Sequence, residues 1–268
     1  MKKNIKNLDL HTIAESGQCF RFYEIEKNVF NVYTTDKFLR IYKISNNEFD
    51  FKCSKNEFKF FENYFDLQTD YSKFSRICDK KDEFLKRCID YSKGLRILNQ
   101  DKFEMIISFI ISQRKSIKAI RTSIERLSTL CGKKCKSEFG EYYAFPTAEQ
   151  IVKVGTSKLA SCGLGYRLEY IVEFCKDYLM GKYNLEAFSK LSNEELLNAL
   201  MKIKGVGLKV ASCVALFAYH RIDICPKDVW INRVIDKKYN GKFPDKYEKY
   251  AGIIQQYWFN YSHLEKDL

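Results

Sequence analysis

The chain has 268 residues, of which 46% are hydrophobic and 15% aromatic, so it can bury about three quarters of its unfolded surface in one domain or two closely packed ones. Its 3 prolines and 12 glycines exclude a disordered or linker-dominated chain. The formal net charge of +12 favours a polyanionic partner, because clustered Lys and Arg displace counterions from phosphates, although dispersed lysines are also typical of plain solvated surfaces.

The first predicted elements are strands. Between Leu8 and Cys53, apolar and polar residues alternate in segments separated by Lys, Asn and Asp, which predicts an antiparallel sheet preceded by a short helix or turn at 11–16. The segments are QCFRF, VFNVY, FLRIYKI and FDFKC. From Lys55 the period becomes helical and almost no strand pattern returns. We therefore predict an α+β fold, with a mainly antiparallel N-terminal domain and its following helices at 1–90 and a helical region at 91–268.

Short helices with short connections are predicted throughout the second region. Asp101 and Glu104 have the spacing of a capping box, which marks a helix start before the apolar run MIISFIIS. Gly163 and Gly165 interrupt the chain between two helices. Further helices are predicted at 166–180, 193–203 and 246–260. This pattern indicates a helical array with a cleft rather than a long bundle.

The sequence carries no signal for export, membrane insertion or metal binding. Its start, MKKNIKNLDLHTIAES, lacks the apolar core of a signal peptide, and no apolar run approaches the roughly 18 residues of a membrane helix. We therefore expect an intracellular protein with no membrane partner, in the cytoplasm or nucleoid of a bacterium or the nucleus of a eukaryote. The 10 cysteines lie singly, and Cys131 and Cys135 lack a second close pair, so we expect reduced thiols, no metal and no cofactor.

The chemistry is concentrated between Ala199 and Val234. Gly205 and Gly207 allow a tight turn between two helices, and the backbone amides at the start of the second helix, with its dipole, form an anion site. A helical hairpin that needs glycine only for steric reasons is the simpler interpretation. Lys202 and Lys204 beside the turn favour phosphate binding instead.

Lys209 and Asp228 are candidates for a nucleophile and its carboxylate partner. The positive end of the helix dipole, with partial burial, favours the neutral amine of Lys209, although a lysine at this position is more commonly exposed to solvent. Cys213 lies one turn further on the same face. The helix advances about 17 Å and the following loop can return about 20 Å, so Asp228 can lie beside Lys209. After Pro226, Asp228 also suits a plain helix N-cap.

The segments IKGVGLKVASC and CPKDVWINRV resemble the helix-hairpin-helix and proline-aspartate motif of a DNA glycosylase superfamily. Further segments follow in order along nearly the whole chain: SGQCFRF at 16–22, YFDL at 64–67, GLRILNQD at 94–101, SFIIS at 108–112, GLGYR at 163–167 and YAGIIQQYWF at 250–259. Together these segments resemble one branch, the 8-oxoguanine DNA glycosylases. The resemblance implies an N-terminal sheet domain, a helical region, and an active site in the cleft between them.

The resemblance assigns roles at the sugar. It implies that Lys209 attacks C1′ of a flipped nucleotide, expels the damaged base and leaves a Schiff base that undergoes β-elimination. Asp228 would stabilise the positive charge that develops on the sugar. Tyr166 matches the family's wedge residue, which fills the space left by the flipped nucleotide. Arg167 beside it matches a residue that reads the orphaned partner base.

The resemblance also implies a recognition slot for the base. Cys213 and Phe259 match its two faces, and Gln255 matches the group that reads the Watson–Crick edge. Gly17 matches a glycine whose carbonyl accepts a hydrogen bond from the N7–H of 8-oxoguanine, a hydrogen that guanine lacks. A glycine at this position is otherwise typical of a turn, and Gln255 with Phe259 alone would indicate only an amphipathic helix.

The implied DNA contacts include departures from the family pattern. The contacts to the DNA backbone are placed at Lys204, Gly205, Val206, Gly207 and Trp230. Trp230 stands where the family has a histidine, so this phosphate contact differs. Arg114 and Ala119 stand where the family's best-known members have Asn and Arg contacting cytosine opposite the lesion. Because one bidentate reader is missing, we predict weak discrimination of the opposite base.

Other functions remain open at this point. Endonuclease III and adenine glycosylases typically carry an iron-sulfur cluster near the end of the helical region, but no cysteine follows Cys225 here. Alkylbase glycosylases share the sheet and hairpin but lack the lysine at position 209. Another oxidised-base glycosylase, or a non-catalytic protein that uses the hairpin as a DNA clamp, are further alternatives. Our first expectation is a monomer that binds duplex DNA containing 8-oxoguanine.

Overall fold

A five-stranded antiparallel sheet opens the computed structural model, which describes residues 1–262. The strands are Lys2–Asn4 (β1), Phe22–Glu26 (β2), Val29–Thr34 (β3), Lys37–Lys43 (β4) and Glu48–Lys52 (β5), in the order β1-β5-β4-β3-β2. The register of β3 and β4 pairs Phe30 with Ile41 and Val32 with Leu39, so these buried side chains share one face. With the helices that follow, the sheet confirms the predicted α+β fold.

Helices form most of the remaining described chain. Their bounds are Leu10–Glu15 (α1), Lys55–Tyr64 (α2), Ser72–Ser75 (α3), Glu83–Tyr91 (α4), Lys102–Ser112 (α5), Ile117–Cys131 (α6), Ala148–Val154 (α7), Thr156–Leu159 (α8), Arg167–Leu179 (α9), Asn193–Met201 (α10), Leu208–Ala218 (α11), Val229–Tyr239 (α12) and Ala251–Ser262 (α13). Short 3₁₀ helices lie at Ala160–Cys162, Ala187–Lys190 and Asp245–Tyr250. Within residues 1–262, no helix combines the length and apolarity that crossing a bilayer requires.

The predicted strand at QCFRF is wrong. Residues 17–21 form an irregular loop, and β2 begins after it. The buried amide of Gln18 explains the difference, because Nε2 donates to Arg96 O at 2.9 Å and Oε1 accepts from Leu98 N at 2.8 Å. Gln100 Nε2 also donates to the Gln18 carbonyl, at 2.7 Å. These bonds replace a strand ladder and hold the loop in one conformation.

The predicted capping box at Asp101 and Glu104 forms only in half. Asp101 caps α5 by accepting a hydrogen bond from the Glu104 amide at 2.8 Å. The Glu104 carboxylate instead accepts from Thr35 N at 2.8 Å and from Thr34 Oγ1 at 3.3 Å, and so joins the β3–β4 turn to α5. Burial raises the pKa of this carboxyl to about 7, although the Arg21 guanidinium opposes the rise.

The centre of the hydrophobic core is formed by α5 and α11. Burial is continuous from Glu104 to Ile111 in the first helix and from Val210 to Ala218 in the second. Phe109 stacks on Phe217 with ring centroids 5.6 Å apart. Because a helix that is apolar on every side belongs inside a core, this packing fixes α11 firmly. Its exposed first turn carries Lys209.

A β-hairpin in the second region was not predicted. Its strands are Lys134–Ser137 (β6) and Gly140–Tyr143 (β7), in which only the two tyrosines of β7 favour a strand. Tertiary contacts stabilise it against the N-terminal sheet. The rings of Tyr142 and Phe38 lie 5.4 Å apart, and Arg21 Nη2 donates to Tyr143 O at 2.7 Å. The prediction that almost no strand follows Lys55 therefore misses this hairpin.

Candidate active site

A cavity of about 350 Å³ lies between the irregular loop at 16–20 and the helices α5, α11 and α13. It is lined by a group of the site residues predicted from the sequence: Gly17, Lys209, Cys213, Asp228, Trp230, Gln255 and Phe259. The other predicted residues are not part of this lining: Arg114, Tyr166, Arg167, Lys204, Gly205, Val206 and Gly207. The fold therefore brings together the candidate nucleophile, its carboxylate partner and the candidate base-recognition residues.

The hairpin between α10 and α11 presents unpaired backbone donors. Gly207 is the N-cap of α11 and has no side chain to cap it, and the first helical bond runs from Ala211 N to Gly207 O at 2.9 Å. In the described part of the chain, the amides of residues 207–210 have no hydrogen-bond acceptor. Unpaired amides and the helix dipole at this end favour an anion, such as a phosphate of DNA.

Gly205 and Gly207 contribute to the hairpin in different ways. Gly205 has φ +83°, and a Cβ there would lie 2.3 Å from Cδ2 of Tyr170, so the turn requires glycine. Gly207 has φ −90° and open space where a Cβ would be. Val206 between them is buried and anchors the turn in the core. The room beside Gly207 lies where a phosphate would approach the amides.

Lys209 projects from the first turn of α11 over the cavity. Its Nζ lies 5.8 Å from the centroid of the Phe109 ring, a cation–π contact. The side chain is exposed rather than partly buried, since α11 begins at the surface beside the cavity. Burial raises the pKa of the Cys213 thiol, and the nearby Lys209 opposes that rise. The thiol is therefore neutral at physiological pH and forms a soft apolar wall.

Asp228 faces the cavity and also caps α12. Its Oδ1 accepts a hydrogen bond from Ile231 N at 2.8 Å, which is the usual geometry of an N-cap. No side chain or amide among residues 1–262 bonds to the other carboxylate oxygen. One oxygen can therefore hold the helix while the other acts on a ligand in the cavity. The two interpretations of this residue are compatible.

Gly17 and Phe259 pack closely at the cavity. Gly17 has φ +74°, and a Cβ at this position would lie 3.1 Å from Phe259 Cε1. The missing side chain lets the ring lie against the Gly17 backbone. Cys213 borders the same cavity from α11. The loop thus has the positive φ of a turn, and this turn forms part of the cavity wall.

Two adjacent glutamines supply the amide groups of the cavity. Gln255 is 4% exposed and Gln256 is 3% exposed, and both line the cavity from α13. Gln256 Nε2 donates to Gln255 Oε1 at 3.1 Å. The sequence pattern did not identify Gln256, because its only signal was its position next to a residue that matches the family. Its contact with Gln255 is visible only in the structure.

Tyr166 and Arg167 differ sharply in exposure. Tyr166 is 50% exposed and free to project toward a ligand, as a wedge requires. Arg167 is 6% exposed and lies beneath the Tyr166 ring, with Cζ 4.4 Å from its centroid. Its guanidinium donates to the carbonyls of Gln113 and Leu164. Reading of an orphaned base by Arg167 would require these bonds to break, so in this conformation Arg167 braces the main chain.

Gln113 connects the hairpin to the start of α9, and the sequence did not predict it. Its Nε2 donates to Gly205 O at 3.0 Å, and its carbonyl accepts from Arg167. The next residue, Arg114, is exposed and has φ +52°. Lys115 Nζ then donates to Gly163 O at 2.6 Å. Side chains that donate to main-chain carbonyls therefore hold together the loop at Arg114, the loop before α9 and the hairpin.

Two predicted contacts to the DNA backbone have partners within the protein. Lys204 Nζ lies 2.6 Å from Glu173 Oε2, and both side chains are largely exposed. Because exposed ion pairs are weak, a phosphate can compete for this ammonium. Trp230 lines the cavity, and the Cζ of Arg233 lies 5.1 Å from the centroid of its ring. The predicted phosphate-binding position at Lys204 therefore has an anionic partner, whereas the position at Trp230 has a cation beside it.

Comparisons with known proteins identify the family. The model for the N-terminal domain of 8-oxoguanine DNA glycosylase matches residues 1–106, and the model for the HhH-GPD superfamily of base excision DNA repair proteins matches residues 107–258. The 8-oxoguanine glycosylase/lyase of Clostridium acetobutylicum, solved with duplex DNA containing cytosine opposite 8-oxoguanine, is 30% identical, with a TM-score of 0.90 and 98% of each chain covered. The chain belongs to the 8-oxoguanine DNA glycosylase family.

Curated relatives in this family come from an archaeon and a yeast. The probable N-glycosylase/DNA lyase of Methanothermobacter thermautotrophicus is 28% identical over 231 residues, which cover 75% of this chain and 73% of that protein. The N-glycosylase/DNA lyase of Saccharomyces cerevisiae is 33% identical over 167 residues, which cover 55% of this chain and 42% of that protein. The domain division predicted at residue 90 falls within the first family match and stays a prediction.

Proposed function

We propose that this protein excises 8-oxoguanine from duplex DNA by attack of Lys209 on C1′ and then cleaves the strand by β-elimination. Family membership supports the coarser conclusion that it is a glycosylase of base excision repair, and relatives bear the name N-glycosylase/DNA lyase. The observation that carries the proposal is the single cavity lined by Lys209, Asp228 and the base-recognition residues.

The reaction needs the neutral amine of Lys209 and the carboxylate of Asp228 to act on the same sugar. The Lys209 amine forms a bond to C1′ while the bond from C1′ to N9 breaks, and the base leaves with the bonding electrons and takes up a proton. Loss of a proton from the attached amine and opening of the sugar ring give the Schiff base. Removal of a C2′ proton then expels the 3′ phosphate. Asp228 lowers the barrier by placing negative charge beside the positively charged sugar.

The cavity walls suit a flat, partly apolar base. Phe259 and Cys213 offer an aromatic face and a sulfur face, between which a purine ring can stack. Gln255 offers an amide to the Watson–Crick edge. We assign to the Gly17 carbonyl the hydrogen bond from N7–H that distinguishes 8-oxoguanine from guanine. A buried acceptor left unpaired by guanine would then disfavour the undamaged base.

The DNA duplex is held outside the cavity. We assign the phosphate clamp to the unpaired amides at Gly207 and the following residues, with Lys204 beside them. Tyr166 is the wedge, because it is exposed at the start of α9. Arg167 is assigned a bracing role in the absence of DNA, with base reading only after rearrangement. The expectations of a monomer and of an intracellular compartment stay predictions.

Base excision assays test this proposal against its alternatives. We expect the parent protein to release 8-oxoguanine from a duplex and to cleave the strand, but to leave 3-methyladenine in a matched duplex. Removal of 3-methyladenine alone would favour an alkylbase glycosylase. Tight binding of the 8-oxoguanine duplex without excision or strand cleavage would favour a non-catalytic clamp. Either outcome would contradict the proposal.

A further inference from the structure

Gln256 is a buried polar residue of the cavity that the proposed reaction does not yet use. It follows Gln255 on α13, and its Nε2 donates to Gln255 Oε1 at 3.1 Å. Its own Oε1 is buried and has no hydrogen-bond partner in the described structure. An unpaired buried amide oxygen is destabilising, whereas methionine fills a similar volume without this penalty. Packing alone is therefore a poor explanation for a glutamine here.

The amide of Gln256 controls how Gln255 can present its own amide. An amide has one donor end and one acceptor end, so Gln256 can donate to Gln255 Oε1 or, after both groups rotate, accept from Gln255 Nε2. The first state directs the donor end of Gln255 to other partners, and the second directs its acceptor end there. The Watson–Crick edge of 8-oxoguanine carries the donors N1–H and N2–H beside the acceptor O6. Recognition of this edge requires a defined amide orientation.

We propose that Gln256 is a positioning residue that orients the Gln255 amide for the Watson–Crick edge of a guanine-derived base. This inference rests on the function proposed above. Anchored at one end by Gln256, the Gln255 side chain has less rotamer freedom to lose when the base enters. A base derived from adenine lacks the N1–H and N2–H donors, so the state that turns the acceptor end of Gln255 toward the base selects against it.

Positioning and simple packing predict different ratios of two activities. Excision of 8-oxoguanine requires recognition of the base. Strand cleavage at a preformed abasic site uses Lys209 and the same cleft, but no base occupies the cavity. Loss of positioning by Gln256 therefore lowers excision much more than cleavage, whereas damage to the packing of α13 lowers both together.

The test compares single-turnover rates of the two reactions for Gln256→Met, Gln255→Met and the double variant of the full chain. We expect Gln256→Met to lower the ratio of excision to abasic-site cleavage by about tenfold, the scale of one oriented hydrogen bond. In the Gln255→Met background the second change should have no further effect, because Gln256 acts only through Gln255. Thermal unfolding of each variant establishes that the chain is folded.

Trp258→Phe provides the matched control. Trp258 lies on the same helix outside the cavity lining and stacks on Tyr239 with ring centroids 4.8 Å apart, so the change perturbs packing but not the amide pair. The ratio of excision to abasic-site cleavage in Trp258→Phe should equal that of the parent. An unchanged ratio in Gln256→Met, or additive losses in the double variant, would overturn the positioning role. A parent that cleaves abasic sites but excises no 8-oxoguanine would instead overturn the proposed substrate.

Discussion

Asp228 has two tasks that a single substitution can separate. Asparagine caps helices as well as aspartate does, so Asp228→Asn should keep the bond to the Ile231 amide and change the free energy of unfolding by less than about 0.5 kcal/mol. The neutral amide does not stabilise positive charge on the sugar, so excision should slow by about 100-fold or more. Thermal unfolding and single-turnover excision measure the two effects. Normal excision in a stable Asp228→Asn protein would reduce Asp228 to a helix cap.

The opposite-base prediction depends on two other residues. Arg114 lies in an exposed left-handed turn, and Ala119 has no side-chain hydrogen-bonding group. A good bidentate contact discriminates by about 1–3 kcal/mol, and one such reader is missing here. We expect excision rates within about fivefold for 8-oxoguanine opposite each of the four bases. A strong preference for cytosine in this set of duplexes would contradict the prediction.

At the residue scale, the sequence predicted residues that contact a ligand better than it predicted residues that contact only other parts of the protein. Lys209, Asp228 and Gln255 stand in recognisable segments, and they meet at one cavity. Gln113 and Gln256 were missed, since their roles depend on partners that are brought close only by folding or by helix geometry. The burial of Arg167 was missed for the same reason.

At the element scale, the hairpin glycines form a matched pair for experiment. Gly205→Ala should lower the free energy of unfolding by roughly 1–3 kcal/mol or more, because the backbone has φ +83° and the new Cβ would collide with the Tyr170 ring. Gly207→Ala meets open space and should leave the unfolding temperature nearly unchanged. Its methyl group should weaken duplex binding by restricting the approach of a phosphate. Unimpaired binding by a folded Gly207→Ala protein would argue against the clamp.

The link between the sheet and α5 should depend on pH through Glu104. The pKa of this carboxyl is about 7 in the folded chain, against 4.5 for an unperturbed group, so its contribution to stability is complete below about pH 4.5 and is lost as the pH rises through 7. Glu104→Gln keeps an acceptor for Thr35 N but does not titrate. Between about pH 5 and 8, the free energy of unfolding of the parent should fall by up to roughly 3 kcal/mol relative to that of this variant, as measured by chemical denaturation. The same pH dependence of unfolding free energy in both proteins would contradict this prediction.

Elements were predictable where their own pattern determines them. Three segments with alternating apolar and polar residues coincide with β3, β4 and β5: VFNVY, FLRIYKI and FDFKC. The predicted helix at 193–203 corresponds to α10. QCFRF has the same alternation, but the polar contacts of Gln18 hold it as a loop. The hairpin of β6 and β7 has only the weak strand signal of two tyrosines and depends on aromatic contacts with the sheet. In both cases long-range contacts override the local pattern.

At the scale of the whole molecule, the N-terminal region and the helical region have different parts in the proposed function. The loop between α1 and β2 contributes Gly17 to one wall of the cavity, while the helical region contributes the hairpin, the nucleophile and the helix that carries Gln255. In the proposed function, base recognition therefore depends on both regions, whereas the DNA clamp belongs to the helices. The net charge of +12 suits a duplex that lies across the junction.

Borohydride trapping tests the central claim most directly. Reduction during reaction with an 8-oxoguanine duplex should convert the Schiff base into a stable protein–DNA adduct, which peptide mapping should locate at Lys209. Lys209→Gln should give no adduct, while Lys227→Gln, a change at an exposed lysine outside the cavity lining, should trap like the parent. No adduct with the active parent protein, or an undiminished adduct with Lys209→Gln, would contradict the account.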